Sequence, residues 1–296
     1  MSPLFDAHNH LQDPWLTPHR DRVLAALVSS GVRACVVNGT SETDWPDVAA
    51  LCSRRPGAQL SPSGTRLSLL PSYGLHPWNV GNASPHWRDD LQRAIDADPD
   101  ASIGEIGLDR WMLDRARPDD PRLAGLRRAS LEEQREAFAW QLALAAERHL
   151  PVTVHCLDAW GAVADALRRA PPLTRGFLLH AYGGSVEMAR EFTALGAYFS
   201  FNGYFLGDRQ SARREVFKTL PPDRLLVETD APAMPLPAPL RTHELPGLAD
   251  GNPINHPANL RVIYEALAEL RHVSPDSLAV QVELNFRRLF GPLPTP

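Results

Sequence analysis

Eight short apolar or β-rich runs alternate with longer amphipathic stretches along this chain, and that alternation restricts the fold more than any other feature. The runs cover residues 3–8, 33–37, 67–73, 101–105, 150–155, 176–180, 197–201 and 224–228. Their length and near-continuous apolarity fit strands buried on both faces. Between them apolar residues recur at spacings of three and four, as at Phe138, Leu142 and Ala145 within Leu131 to His149, which predicts helices. Strand and helix repeated to a total of eight is the pattern of a closed parallel sheet. The expectation is a single (β/α)8 TIM barrel occupying residues 1–296 as one domain, a size that such barrels use routinely. A doubly wound open sheet is the alternative.

Two stretches break the alternation: Arg110 to Ser130, rich in Asp, Arg and Pro, and Pro232 to Pro257, rich in Pro, Gly and Asn. Both follow strands, on the face where barrel enzymes carry their active sites, so they read as substrate-shaping loops. Tolerated surface insertions are the bland alternative.

With 44% hydrophobic and 22% charged residues, the chain is neither disordered nor fibrous in composition. No apolar run approaches the roughly 18 residues needed to span a bilayer, and the N-terminus lacks the pattern of a signal peptide, so a cytoplasmic location is expected. Cys35, Cys52 and Cys156 are too few and too scattered for a disulfide framework or a thiolate zinc site, and are expected to be free thiols. A formal charge of −5 argues against a broad basic surface for duplex DNA. It leaves a phosphodiester substrate open, because metal ions bring their own positive charge to one or two phosphates.

The residues able to do chemistry gather at strand ends. In Asp6-Ala7-His8-Asn9-His10 the two histidines are separated by one residue, so at a strand end both can face one ion, although two solvated loop histidines would read the same. Gly104-Glu105-Ile106-Gly107-Leu108-Asp109 puts Glu105 at the fourth run, where a buried carboxylate needs a salt-bridge partner or a metal. His155 and His180 each close an apolar run; either alone would pass for an ordinary core or surface histidine. Asp230, just past the eighth run in Glu228-Thr229-Asp230-Ala231-Pro232, would serve equally as a helix N-cap. Nothing structural requires all six to fall at strand ends, where barrels hold catalytic groups, and that joint placement favours metal binding.

Six protein ligands exceed the needs of one zinc ion, so two divalent ions are expected. Glu105 would bridge them, with His8, His10 and Asp230 on one ion and His155 and His180 on the other. The mixed donors suit magnesium, manganese, iron or zinc. His76, in Gly74-Leu75-His76-Pro77, lies on the same rim and reads as a substrate contact, a structural turn histidine being the alternative. Asp109 is similarly placed. Nothing points to an obligatory protein partner or a membrane.

These motifs resemble the TatD family of metal-dependent deoxyribonucleases, part of the amidohydrolase superfamily, over nearly the whole chain. Residues 6–10 are similar to the family's first-strand His-x-His, residues 74–77 to its Gly-hydrophobic-His-Pro, residues 104–109 to its Gly-Glu-Ile-Gly-Leu-Asp, and residues 228–232 to its Glu-Thr-Asp-Ser/Ala-Pro. The resemblance implies a magnesium- or manganese-dependent nuclease acting from the 3′ end of DNA. Three positions depart from the family pattern: Leu157 stands where the family has Arg, His180-Ala181-Tyr182 where it often has His-Cys-Phe, and Asn255-His256-Pro257 where it has Asn-Glu-Pro. Hydrolysis is expected to be retained and the nucleic-acid preference altered. On this reading Asp230, with Glu105 and His76, forms the catalytic group of a two-metal hydrolysis of a DNA or other phosphodiester substrate. An amidohydrolase-type enzyme acting on another ester, a lactone or an amide is the first rival; a metal-stabilised binding protein is the second.

Overall fold

The apolar runs form eight parallel strands paired in sequence order: β1 (Leu4–Asn9), β2 (Val32–Asn38), β3 (Ser68–Tyr73), β4 (Ser102–Asp109), β5 (Val152–Leu157), β6 (Phe177–Leu179), β7 (Ala197–Phe201) and β8 (Leu225–Val227). The computed structural model describes residues 2–53, 66–248 and 251–293. Parallel neighbours cannot be joined by hairpins, so each strand returns through a crossover. The helices are α1 (Arg20–Ser29), α2 (Trp45–Ser53), α3 (Trp87–Ala97), α4 (Trp111–Asp114), α5 (Leu131–Arg148), α6 (Trp160–Arg169), α7 (Val186–Ala194), α8 (Ser211–Thr219), α9 (Leu260–Leu270) and α10 (Pro275–Phe290). Strand order shows no reversal, which excludes the open-sheet alternative, and the chain adopts the expected (β/α)8 barrel. α5 begins where its sequence says it should. Ser130 Oγ accepts from Glu133 N at 3.3 Å while Glu133 Oε2 accepts from Ser130 N at 2.7 Å, a reciprocal cap.

The ring closes between β1 and the segment after β8. Asp230 N donates to His8 O at 2.9 Å and His10 N to Ala231 O at 2.7 Å. Beneath them the buried Asp6 carboxylate accepts from Thr229 N at 3.0 Å and from Thr229 Oγ1 at 2.6 Å. Burial pushes the Asp6 carboxyl up to about 7 even against these donors. From outside, α9 and α10 cover the seam. Tyr264 donates its hydroxyl to Phe5 O at 2.9 Å, and Phe286 packs on Phe5 with ring centroids 5.1 Å apart.

Besides a shift near the start of β2, two strands carry an extra residue beside the site. In β1 the register runs from Asp6 opposite Cys35 to Asn9 opposite Val37, and in β4 from Ile103 opposite Val152 to Ile106 opposite Val154. Such bulges re-aim the side chains within them, here Ala7-His8 and Gly104-Glu105. β4 runs on to Asp109, so Glu105 lies inside the strand rather than at its end. The Arg110 to Ser130 loop contains α4; the Pro232 to Pro257 loop is described apart from residues 249 and 250. Among the described residues no helix is long and apolar enough to cross a membrane.

Close backbone approach between β4 and β5 sets a strict requirement. A Cβ on Gly107, whose φ is +148°, would lie 2.0 Å from His155 O. Gly107→Ala is expected to lose about 3 kcal/mol or fail to fold. Gly161→Ala, at the start of α6 with nothing within 4 Å of the added carbon, should gain about 0.5 kcal/mol. Denaturant unfolding of the two variants checks the contrast; a Gly107→Ala protein as stable as wild type would contradict the packing described.

Candidate metal centre

The bulge in β4 turns Glu105 into the mouth of the barrel, where its two oxygens face different histidines. Oε2 lies 3.5 Å from His8 Nε2 and 3.3 Å from His10 Nε2. Oε1 lies 2.9 Å from His155 Nδ1, 2.9 Å from His180 Nε2 and 3.4 Å from His76 Nε2. Asp230 closes the first group, with Oδ1 3.4 Å from His8 Nε2 and 3.5 Å from His10 Nε2. The ligand atoms fall into three sets tight enough to hold a cation: His8, His10 and Asp230; His8, Glu105 and His180; His76, Glu105 and His155. All six residues expected as ligands therefore lie in one cavity, and His76 lies with them. Asp230 is held with φ of +52°, and no helix starts behind it, so the capping alternative has no place here.

For His10, His155 and His76, a hydrogen bond on the far side of the ring decides which nitrogen faces the centre. His10 Nδ1 lies 2.7 Å from Asn38 O and can only donate to it, which leaves the Nε2 lone pair inward. His155 Nε2 lies 3.2 Å from Asp109 Oδ2, which leaves Nδ1 inward. Asp109 is itself fixed by Trp78 Nε1 at 2.6 Å and Met112 N at 2.9 Å. His76 is different. Its Nδ1 accepts from Trp78 N at 3.2 Å, so the neutral ring carries its proton on Nε2, pointing at the centre as a donor. Burial lowers the pKa of His76 and keeps that neutral form. His180 stacks on His8 with ring centroids 4.2 Å apart, and its Nδ1 sits 3.8 Å from Glu228.

The centre calls for positive charge. Burial alone would push the Glu105 carboxyl up, yet His180, His76, His8 and His10 together hold it well below the carboxylate range. Burial likewise opposes charge on His155, but Asp109 and Glu105 push it up to about 9. Donors of this kind, imidazole lone pairs and carboxylates in one buried cavity, are those that bind divalent cations. The buried Nδ1 atoms of His8 and His180 have no hydrogen-bond partner among the described residues, so both rings remain free to settle on an ion.

Sequence reasoning missed the supports. Glu228, buried at the end of β8, binds Ser200 Oγ, Asn202 Nδ2 at 3.2 Å and Ala181 N at 2.8 Å, and so shapes the turn that carries His180. It belongs to a motif already singled out, next to the residue that drew attention. Asn38 carries no signal in the sequence, because its contribution is a backbone carbonyl.

The family profile described as TatD related DNase matches residues 5–291. A 3'-5' ssDNA/RNA exonuclease TatD from Erwinia billingiae is 29% identical over 97% of this chain and 98% of its own. The metal-dependent hydrolase YcfH of Escherichia coli is 29% identical over 97% of this chain and 95% of its own. Among solved structures, the TatD homolog YJJV of Escherichia coli superposes with a TM-score of 0.77 at 29% identity, covering 97% of both chains.

Each departure from the family pattern has a local setting. Leu157 ends β5, and the next residue, Asp158, is met by Arg115 Nε from the β4 loop at 3.3 Å. Ala181 acts through its backbone N–H. His256 caps the turn it begins, Nδ1 accepting from Ala258 N at 3.1 Å, and its ring lies 5.1 Å from that of His243.

Burial first, then repulsion from His243, Arg22 and His19, pull His256 from its ordinary value of 6.5 down to about 4. The unfolded chain therefore takes up this proton before the folded one. Its stabilising contribution is full above about pH 6.5 and disappears as pH falls toward 4. His256→Asn keeps a capping acceptor and removes the titration. Unfolding free energies measured from pH 7 to 4.5 should fall more steeply for wild type than for this variant; parallel curves would contradict the assignment.

Proposed function

The chain belongs to the TatD-related DNase family, and from that premise we propose that it is a metal-dependent hydrolase of single-stranded nucleic acid, removing nucleotides in the 3′ to 5′ direction as its exonuclease relatives are named for. The observation that carries this reading is Glu105: one carboxylate whose two oxygens face two separate sets of imidazoles. That arrangement would suit a pair of divalent cations: His8, His10 and Asp230 would hold one, His155 and His180 the other, and Glu105 could serve either. When bound, such ions supply positive charge to phosphoryl oxygens and bring the pKa of water from about 15.7 toward 7. A donor set this rich in imidazole favours manganese or zinc over magnesium, which prefers oxygen ligands.

The chain's own groups then have distinct tasks. Asp230, fixed at the β1 seam by its backbone bond to His8 O, orients the attacking water and accepts its proton. Burial would raise its carboxyl, but His10 and His8 hold it low, so it stands ionised. His76 presents Nε2–H to a non-bridging phosphoryl oxygen, a donor that stabilises charge as it develops. Asp109 keeps the His155 ring in place. The free thiols at Cys35, Cys52 and Cys156 agree with a reducing compartment, and we place the protein in the cytoplasm.

Metal-replete protein should degrade a single-stranded oligonucleotide, lose that activity to a chelator and recover it with Mn²⁺ more than with Mg²⁺. Asp230→Asn should lower turnover by about 10²- to 10⁴-fold with unchanged circular dichroism. Glu105→Gln should instead lose bound metal, read by elemental analysis. Full turnover in Asp230→Asn, or no hydrolysis of any phosphodiester by metal-replete wild type, would end this proposal.

A further inference from the structure

Among the seven tryptophans, Trp78 and Trp111 are half-buried yet take no part in the hydrophobic core. Core packing therefore does not account for them. Trp78 follows β3 and Trp111 opens α4, so both stand on loops at the mouth that holds the metal centre. Their ring centroids are 6.1 Å apart with planes 34° from parallel. Trp78 meets His76 edge-on, centroids 5.6 Å apart, and Arg122 lays its guanidinium 4.2 Å from the Trp111 ring. A run of flat π surfaces thus leads from His76 outward to solvent.

The run is held in place at both ends. Trp78 Nε1 donates to Asp109 Oδ2 at 2.6 Å, the same carboxylate oxygen that steadies His155, so the first ring is tied directly to the centre. Arg122 is held flat by two bonds to Asp120, at 2.9 and 2.8 Å, while its side chain remains more than half exposed. The loop between β4 and α5 carries six arginines against three aspartates, in a chain whose formal charge is −5. Five of these arginines are ion-paired with carboxylates, so what stands beside the centre is aromatic surface faced by a paired but exposed guanidinium, and aromatic faces of that kind bind single-stranded nucleic acid without reading its sequence. A paired base in a duplex has no free face to offer.

We propose that Trp78 and Trp111, backed by Arg122, form a stacking subsite for a nucleobase of a single-stranded substrate next to the scissile phosphate, an inference that rests on the nucleic-acid reading of the metal centre. The subsite is indifferent to base identity, because every base has a π face.

The test is binding by metal-replete protein of two fluorescent hexamers with hydrolysis-resistant phosphorothioate linkages, one bearing bases and one abasic. Both carry the same backbone charge, so only stacking separates them. Wild type should bind the base-bearing hexamer about tenfold more tightly, with quenching of tryptophan fluorescence. In Trp111→Ala that ratio should fall close to one, and Trp111→Phe should restore most of it, which separates lost stacking from a disturbed loop. Equal affinity of wild type for the two hexamers, or an undiminished ratio in a natively folded Trp111→Ala, overturns the subsite. The nuclease reading fails by a different result, the absence of Mn²⁺-dependent cleavage of the ordinary hexamer. Base-selective binding without cleavage would keep the subsite and remove the nuclease.

Discussion

A carboxylate buried in the mouth of the barrel organises the rest of this structure. Glu105 is 3% exposed, and removing an ionised carboxylate from water costs several kcal/mol unless strong partners replace the lost hydration. Five imidazoles from four strand ends supply those partners, two against one oxygen and three against the other. Their convergence carries a cost of its own, since imidazole lone pairs crowded into one cavity repel unless protons or cations lie between them. A structural ion-pair cluster would have no reason to secure the outward nitrogens. Here Asn38 O and Asp109 do so, and the inward atoms of His10 and His155 are left committed to whatever occupies the centre.

The same demand explains where the barrel departs from regularity. Regular strands alternate their side chains between two faces, and a regular β4 would not carry Glu105 to this point in the register it keeps with β5. The bulges in β1 and β4 sit on His8 and Glu105, and the strand pairing resumes beyond each. Gly107 is the accompanying concession, because the resumed register brings the His155 carbonyl too close for any side chain. The seam between β1 and the post-β8 segment serves structure and site together. The bonds of Asp230 N and His10 N close the ring and also fix two of the groups that face into the mouth, so disturbing closure and disturbing the site are one event.

Much of this was legible in the sequence, for a physical reason. A strand buried on both faces has to be apolar, so a histidine or carboxylate that ends such a run stands out, and eight such runs in series leave few topologies. His8, His10, His155, His180 and Asp230 were visible on those grounds. Glu105 was visible through its motif, though its true position inside β4 was not, because a bulge depends on pairing with β5 and leaves no periodicity of its own. The supports were harder. Asn38 acts through a carbonyl that any residue possesses, and Glu228 orients the Ala181 turn only because β6, β7 and β8 lie side by side. The donor role of His76 depends on a backbone N–H two residues on, which only coordinates reveal.

The departures at Leu157 and His256 alter electrostatics without touching the ligands. Next to Leu157, Asp158 is paired with Arg115 from the long β4 loop. Arg115 is an exposed side chain in an ion pair, worth little as a fixed anion clamp in water. A formal charge of −5 argues against tracking many phosphates along a duplex. On the proposed reading, grip on a nucleic acid would come from a few strong local contacts: cations at the centre, the His76 donor, and flat surfaces that reward an unpaired base. That combination favours the frayed or single-stranded end of a substrate over its interior, because only there can one base leave its stack while the adjoining phosphate enters the mouth of the barrel.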